Sequence, residues 1–300
     1  MKQQTLKREY CFEGKGLHTG TYSHIRLKPM PAGSGIKFIR TDLGEEIPAL
    51  AEYVSNTARC TLISKGKASV STVEHLMSAF AGLGVDNAIV EIDNAEVPIL
   101  DGSARFYAQA ICADGLVEQD AERRYHELKE SIELRHEPTG SWVKIEPSDH
   151  FSVDVTVDFG SNVLGVQKAH WDESVDYASQ IAVCRTFVFF HEVQYLASVG
   201  LVKGGDVDNA IVVVEKPVSQ EVVSKMAEQI GHPGLTVLPT GYLSNLTLNY
   251  PDECGRHKLL DLLGDIRLVG GYLRAHVTAY KPGHTINTDM AKAVQEILNL

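Results

Sequence analysis

Apolar residues recur along this chain with two periods. Across residues 21–30 they alternate with polar ones, the period of a strand with one buried face, and residues 36–40 repeat it. Glycines at 14, 16, 20, 33 and 35 punctuate these short elements. From Ser71 the period becomes helical. Val73, Leu76, Met77 and Phe80 fall at i, i+3, i+4 and i+7, and Gly82 and Gly84 close the run. Residues 87–92 read as a strand and 106–114 as a helix ended by Gly115. Residues 117–124 (VEQDAERR) have no apolar period and are expected to link two domains, 1–122 and 126–300. Strands are expected at 126–134, 141–146 and 150–159, and helices near 192–199 and 219–230. The most regular helix is expected at 255–269, where Leu259, Leu262, Leu263 and Ile266 form a stripe; a strand at 274–280 and a helix at 288–298 follow.

A short repeat adds to this picture. Val85-Asp86-Asn87-Ala88-Ile89-Val90 recurs at 207–212, and His75 and His257 are each followed seven residues later by a glycine, Gly82 and Gly264. The match is either ordinary turn-then-strand chemistry or the mark of a duplication. A duplication predicts two similar α+β halves facing each other across a cleft.

Composition narrows the function classes. Hydrophobic residues make up 44% of the 300 and charged residues 22%, the balance of a globular protein. Twenty-eight basic against 39 acidic residues give a net charge of −11, which disfavours nucleic acid as a partner but not an anionic small molecule held by a few local cations. The five cysteines are scattered and odd in number, as expected of reduced thiols in the cytoplasm. Residues 1–10 lack an apolar signal core, and no window of 18 apolar residues predicts a membrane span.

Candidate chemistry concentrates on the two best helices. His257 and Asp261 are spaced i, i+4, which places their side chains about 6 Å apart on one face, opposite the leucine stripe. They are either a solvated His–Asp pair or two ligands of one metal ion. Asp265 lies about 12 Å beyond His257 along the axis, too far to share that ion easily but able to orient another histidine. Ser71-x-x-Glu74 has the form of a capping box. Alternatively His75 is a third ligand and Glu74 a general base beside it. His284, in Lys281-Pro282-Gly283-His284, is expected in a loop after a strand, either solvated or facing a cleft as an acid or oxyanion partner. Cys254-x-x-His257 is a competing, weaker metal pattern. The HExxH, P-loop, Rossmann and GxSxG signatures are absent.

At these residues the chain resembles a known family. Thr72-Val73-Glu74-His75-Leu76-Met77-Ser78-Ala79 is similar to the TVEHLLSA signature of the zinc-dependent UDP-3-O-acyl-N-acetylglucosamine deacetylases of lipid A biosynthesis. The resemblance continues through Gly16-Leu17-His18-Thr19-Gly20, residues 96–103 (EVPILDGS), Cys184-Arg185-Thr186-Phe187, residues 204–210, residues 257–265 (HKLLDLLGD) and Lys281-Pro282-Gly283-His284. It implies two similar α+β domains, each a sheet with two helices, and an active site at their interface. It implies one Zn2+ ion, with Fe2+ as the other candidate, held by His75, His257 and Asp261. Glu74 would be the general base, His284 the catalytic histidine, Asp265 the group orienting it and Thr186 an oxyanion donor. Lys258, Phe187 and His18 would contact the acylated UDP-sugar, and residues 187–205 would form an apolar passage for its acyl chain.

The implied reaction is hydrolysis of the substrate's N-acetyl group with release of acetate, the committed step of lipid A biosynthesis, by a cytoplasmic monomer. Residues 218–252 depart from the common pattern. Some relatives carry a C-terminal dehydratase, so the chain is either a stand-alone enzyme or the first half of such a fusion. Two rival readings are a non-haem iron oxygenase, whose facial triad also has two His and a carboxylate, and a structural metal closed by a fourth ligand such as Cys254.

Overall fold

The computed structural model describes residues 1–198 and 203–300. Two sheets, one of five strands and one of six, organise it. The first contains β1 (Tyr10–Lys15), β2 (Tyr22–Pro29), β3 (Ile36–Arg40), β4 (Glu45–Pro48) and β5 (Ala88–Ile92), in the order β1-β2-β5-β3-β4. The second contains β6 (Ile132–His136), β7 (Ser141–Pro147), β8 (Ser152–Asp158), β9 (Val166–Asp172) and β10 (Tyr272–Tyr280), in the order β6-β7-β10-β8-β9, with the short strand Tyr125–Glu127 pairing parallel with the start of β10. In each, the last strand enters the middle, antiparallel to the second and parallel to the third. The expected duplication is therefore present in the topology. The hexapeptide that suggested it is not its trace. The first copy runs into β5, whereas the second leads into Ile211–Val213, a strand outside both of these sheets.

Helices α1 (Glu74–Leu83) and α2 (Arg105–Asp114) flank β5 in the chain, while α6 (Glu253–Ile266) and α7 (His284–Leu298) flank β10. Strand alternation is clean in β2, where Ser23, Ile25 and Leu27 are buried between exposed Tyr22, His24 and Arg26. α1 packs on α6, and one continuous apolar core runs from Leu6 to Val294 through both halves. The crossing is close because of Gly264: a Cβ there would lie 2.0 Å from the Glu74 carbonyl oxygen. Gly82 plays a different part, its bare Cα facing the Tyr177 ring.

The segment expected as a linker is a strand. Residues Leu116–Glu122 pair antiparallel with Lys2–Leu6 in a two-stranded ribbon. Most of its side chains are exposed or half-buried, so it carries no apolar period.

Between β9 and α6 the chain builds a satellite. After the short α3 (Tyr177–Gln180), strand Phe187–Phe189 leads into α4 (Phe190–Ser198). Ile211–Val213 then returns parallel to that strand. The atypical segment 218–252 adds α5 (Gln220–Gln229), N-capped by Ser219. Its Val223 and Met226 join Phe190, Val212, Val214 and Leu243 in a separate small core. The end of the helix expected at 192–199 and part of the expected passage, residues 199–202, lie outside the described residues.

Candidate active site

α6 is buried all round. Leu259, Leu262, Leu263 and Ile266 face the core, and His257, Asp261 and Asp265 on other faces are buried as well, so the solvated-pair reading does not hold. The His257 and His75 rings meet edge to face with centroids 5.1 Å apart. His257 Nε2 is 3.4 Å and His75 Nε2 3.7 Å from Asp261 Oδ1. One donor atom from each of the three lies within 4.8 Å of the other two.

Three features suit this trio to a divalent metal. His257 Nδ1 donates to the Cys184 carbonyl at 3.1 Å, which leaves the Nε2 lone pair for a ligand. Asp261 Oδ2 accepts from Lys258 Nζ at 2.7 Å, whereas Oδ1 is buried with no hydrogen-bond partner, a costly state for a carboxylate oxygen without a cation. Burial, reinforced by His257, brings His75 down to about 3, and burial lowers His257 too. Burial works against charge on Asp261, yet His257 and the Lys258 ammonium hold its carboxyl well below the usual range. Neutral imidazoles and an ionised carboxylate are the forms that bind metal.

Beside the trio stand a buried carboxylate and an imidazole, Glu74 and His284. The Ser71–Glu74 capping box is not formed. Ser71 ends the strand Ala68–Ser71 and donates to Ala95 O, and Glu74 Oε2 instead accepts the Thr61 N–H at 3.0 Å. His284 is not in a loop; it is the first residue of α7, with only a tenth of its side chain exposed. Its Nδ1 donates to Asp265 Oδ2 at 3.0 Å, and its Nε2 faces Glu74 Oε1 at 3.8 Å. Burial disfavours the imidazolium, but Asp265 and Glu74 outweigh it and raise His284 to about 9. Burial raises Glu74 to about 7, against the pull of His284.

His75, His257, Asp261, Glu74 and His284 border one cavity of about 490 Å³. Thr186, Phe187, Lys258 and His18 also line it. Lys258 is tied to Asp261 and lies 5.6 Å from the centre of the Phe187 ring. Other lining residues were missed. Arg59 reaches from the first half to Glu192 of α4 at 3.0 Å, and Val212, Met226, Ile230 and Leu243 bring the satellite core to the cavity wall. The spacing of Val223, Met226 and Ile230 marks a helix stripe in the sequence, but nothing local says that it faces a cavity. Cys254 belongs to another apolar cluster, where burial pushes its thiol up to about 12, and among the described residues the donor atoms gathered around His257 are those of His75 and Asp261, not the Cys254 thiol. Lys281 does not line the cavity; its Nζ lies 4.0 Å from Asp158.

The fold and this site define a class: an α+β protein of two like halves with a buried His–His–Asp donor set between helices of both. A family model for UDP-3-O-acyl N-acetylglycosamine deacetylase matches residues 3–238 and 232–296, and the chain belongs to that family. Similar proteins include a bifunctional enzyme LpxC/FabZ of Porphyromonas gingivalis, 45% identical over 98% of this chain and 64% of its own length. The bifunctional enzyme of the same name from Bacteroides thetaiotaomicron is 41% identical over 100% of this chain and 66% of its own length. The chain thus spans just under two thirds of these bifunctional relatives. The UDP-3-O-acyl-N-acetylglucosamine deacetylase of Trichormus variabilis is 36% identical over the whole of both chains.

Proposed function

We propose that this chain hydrolyses the N-acetyl group of a UDP-3-O-acyl-N-acetylglucosamine, releasing acetate and a free glucosamine amine. The observation that carries the reading is the bare buried Oδ1 of Asp261 between two neutral imidazoles, beside a base and an acid, on the wall of a partly apolar cavity. His75, supplied by residues 1–122, and His257 and Asp261, supplied by residues 126–300, would hold one Zn2+, a role Fe2+ could also fill. The bound ion supplies Lewis-acid polarisation of the amide carbonyl and acidification of a water. Glu74 takes the proton of the attacking water on Oε1, since Oε2 is engaged by Thr61. The protonated imidazole of His284, held by Asp265, and the Thr186 hydroxyl stabilise the developing oxyanion. Collapse of the tetrahedral species requires a proton on the leaving nitrogen, delivered by His284 or by Glu74 returning the one it took. Lys258, Phe187 and His18 bind the nucleotide-sugar. We assign the activity to the cytoplasm and to a monomer, acting alone or as one part of a longer bifunctional enzyme.

The direct test combines metal analysis with deacetylation of the nucleotide-sugar. Asp261→Ala is expected to lose both metal and turnover while keeping its fold by circular dichroism, and Cys254→Ser to keep both. A fully active, metal-replete Asp261→Ala would overturn the ligand assignment.

The satellite predicts acyl-chain selectivity. Each methylene buried in the cavity contributes up to about 0.8 kcal/mol, roughly fourfold in binding. Ile230 is only partly buried, so Ile230→Trp fills the cavity without overpacking the satellite core. It is expected to lower kcat/KM for a long-chain substrate about tenfold relative to a short-chain one. Equal losses on both would show that the α5 segment does not meet the chain.

A further inference from the structure

Thr61 is completely buried, and the sequence gives it no role. A hairpin formed by Leu62–Lys65 and Ala68–Ser71 pairs Leu62 with Ser71 and so sets Thr61 beside the entry to α1. Its three polar groups are all used there. The carbonyl accepts from Val73 N at 3.4 Å, the residue just before Glu74. The N–H donates to Glu74 Oε2 at 3.0 Å. The hydroxyl donates to Asp265 Oδ1 at 2.5 Å, across the boundary between the halves. Asp265 Oδ2 in turn accepts from His284 Nδ1 at 3.0 Å and from Asn287 Nδ2 at 2.9 Å. The chain of contacts closes on itself: Thr61, Asp265, His284, Glu74 and back to Thr61.

We infer that Thr61 is a positioning residue of the reaction, fixing Glu74 and the His284–Asp265 pair relative to each other across the two halves. The inference rests on the deacetylase reading above. A carboxylate has two oxygens that can accept a proton, and the Thr61 N–H occupies one of them in Glu74. Oε1 is left facing the cavity and His284. The hydroxyl does the same for Asp265, so that Oδ2 alone serves the imidazole. An ordinary buried threonine would satisfy its hydroxyl on a nearby carbonyl. This one spends it on a carboxylate 204 residues away in the chain, behind a catalytic imidazole.

The test uses substitutions that leave the backbone contacts in place. Thr61→Val keeps the shape and removes only the oxygen. Thr61→Ser keeps the oxygen, and Thr61→Ala differs from Thr61→Ser by that oxygen alone. A hydrogen bond to a charged group is worth about ten- to a hundredfold in an equilibrium or rate. Thr61→Val is expected to lose about that much kcat with KM and metal content unchanged, and Thr61→Ser to regain most of it. The alkaline limb of the pH–kcat/KM profile is a second readout. The charged and titratable groups facing the His284 imidazole are Glu74 and His75 of α1, His257, Asp261 and Asp265 of α6, and His18 of the turn between β1 and β2. Without its hydroxyl donor Asp265 is a stronger acceptor, so in Thr61→Val that limb moves to higher pH.

A purely structural hydroxyl would lower the melting temperature and leave kcat and the limb unmoved, which would overturn the inference. Equal kcat in Thr61→Ser and Thr61→Ala would also overturn it, and that pair decides the matter if Thr61→Val does not fold. Failure of the unsubstituted protein to deacetylate the nucleotide-sugar would instead count against the functional reading.

Discussion

Glu74→Gln lowers kcat by about two to four orders of magnitude, the usual contribution of a positioned general base, with little change in KM or metal content. The substitution is conservative in shape. Glu74 is buried at the start of α1 with its backbone against Gly264, so an isosteric amide keeps the helix crossing intact. The amide oxygen can still accept from the Thr61 N–H, which leaves the amide nitrogen in place of Oε1. A nitrogen that only donates cannot take the water's proton, and it faces His284 Nε2, itself a donor when protonated. The base is lost and the acid is left without its neighbour's charge. Steady-state kinetics with metal analysis checks this. Retention of more than about a tenth of kcat would mean that another group takes the proton.

The parts of this site that were legible in the sequence are those set by one helix. His257, Asp261 and Asp265 lie on α6 at spacings that fix their relative positions whatever the rest of the chain does. What local pattern could not give was the partner of each. Ser71-x-x-Glu74 satisfies the capping rule in one dimension. The hairpin ending at Ser71 draws that residue into a strand and gives Glu74 to Thr61 instead. His284 follows Pro282-Gly283 and so read as loop. Gly283 caps α7, and the first position of that helix points the imidazole at Asp265. The ribbon strand Leu116–Glu122 was invisible because a two-stranded pair buries little of either face. The duplication was predicted from a hexapeptide that does not carry it and from the His-to-Gly spacing shared by α1 and α6, the helices that precede the equivalent strands β5 and β10; sheet order carries it, and sheet order is a property of pairings far apart in the chain.

The proton inventory of the site leads to the other large effect. In the proposed mechanism rate requires Glu74 ionised and His284 protonated in the same molecule, so kcat/KM is expected to follow a bell. The groups titrate as a coupled set, and the limbs report the set. Burial raises Glu74 to about 7, and Asp265 and Glu74, against burial, raise His284 to about 9. A divalent cation on the neighbouring trio favours the deprotonated form of both, so the limbs fall at or below those values. The sign for Asp265→Asn follows. Asp265 favours the imidazolium by its charge and by the Nδ1 hydrogen bond. The amide keeps an acceptor and removes the charge, so the proton leaves His284 at lower pH. The alkaline limb moves down by one unit or more, while the acid limb moves little, and at pH 8 a limb brought from about 9 to about 8 costs about twofold and one brought to about 7 about tenfold. His284→Gln has no titrating ring. Its rate drops by about two orders of magnitude and its alkaline limb flattens. The check is a set of pH–kcat/KM profiles for the three proteins with metal content held equal. An alkaline limb unmoved in both variants would assign that limb to the attacking water and remove His284 from the acid's place.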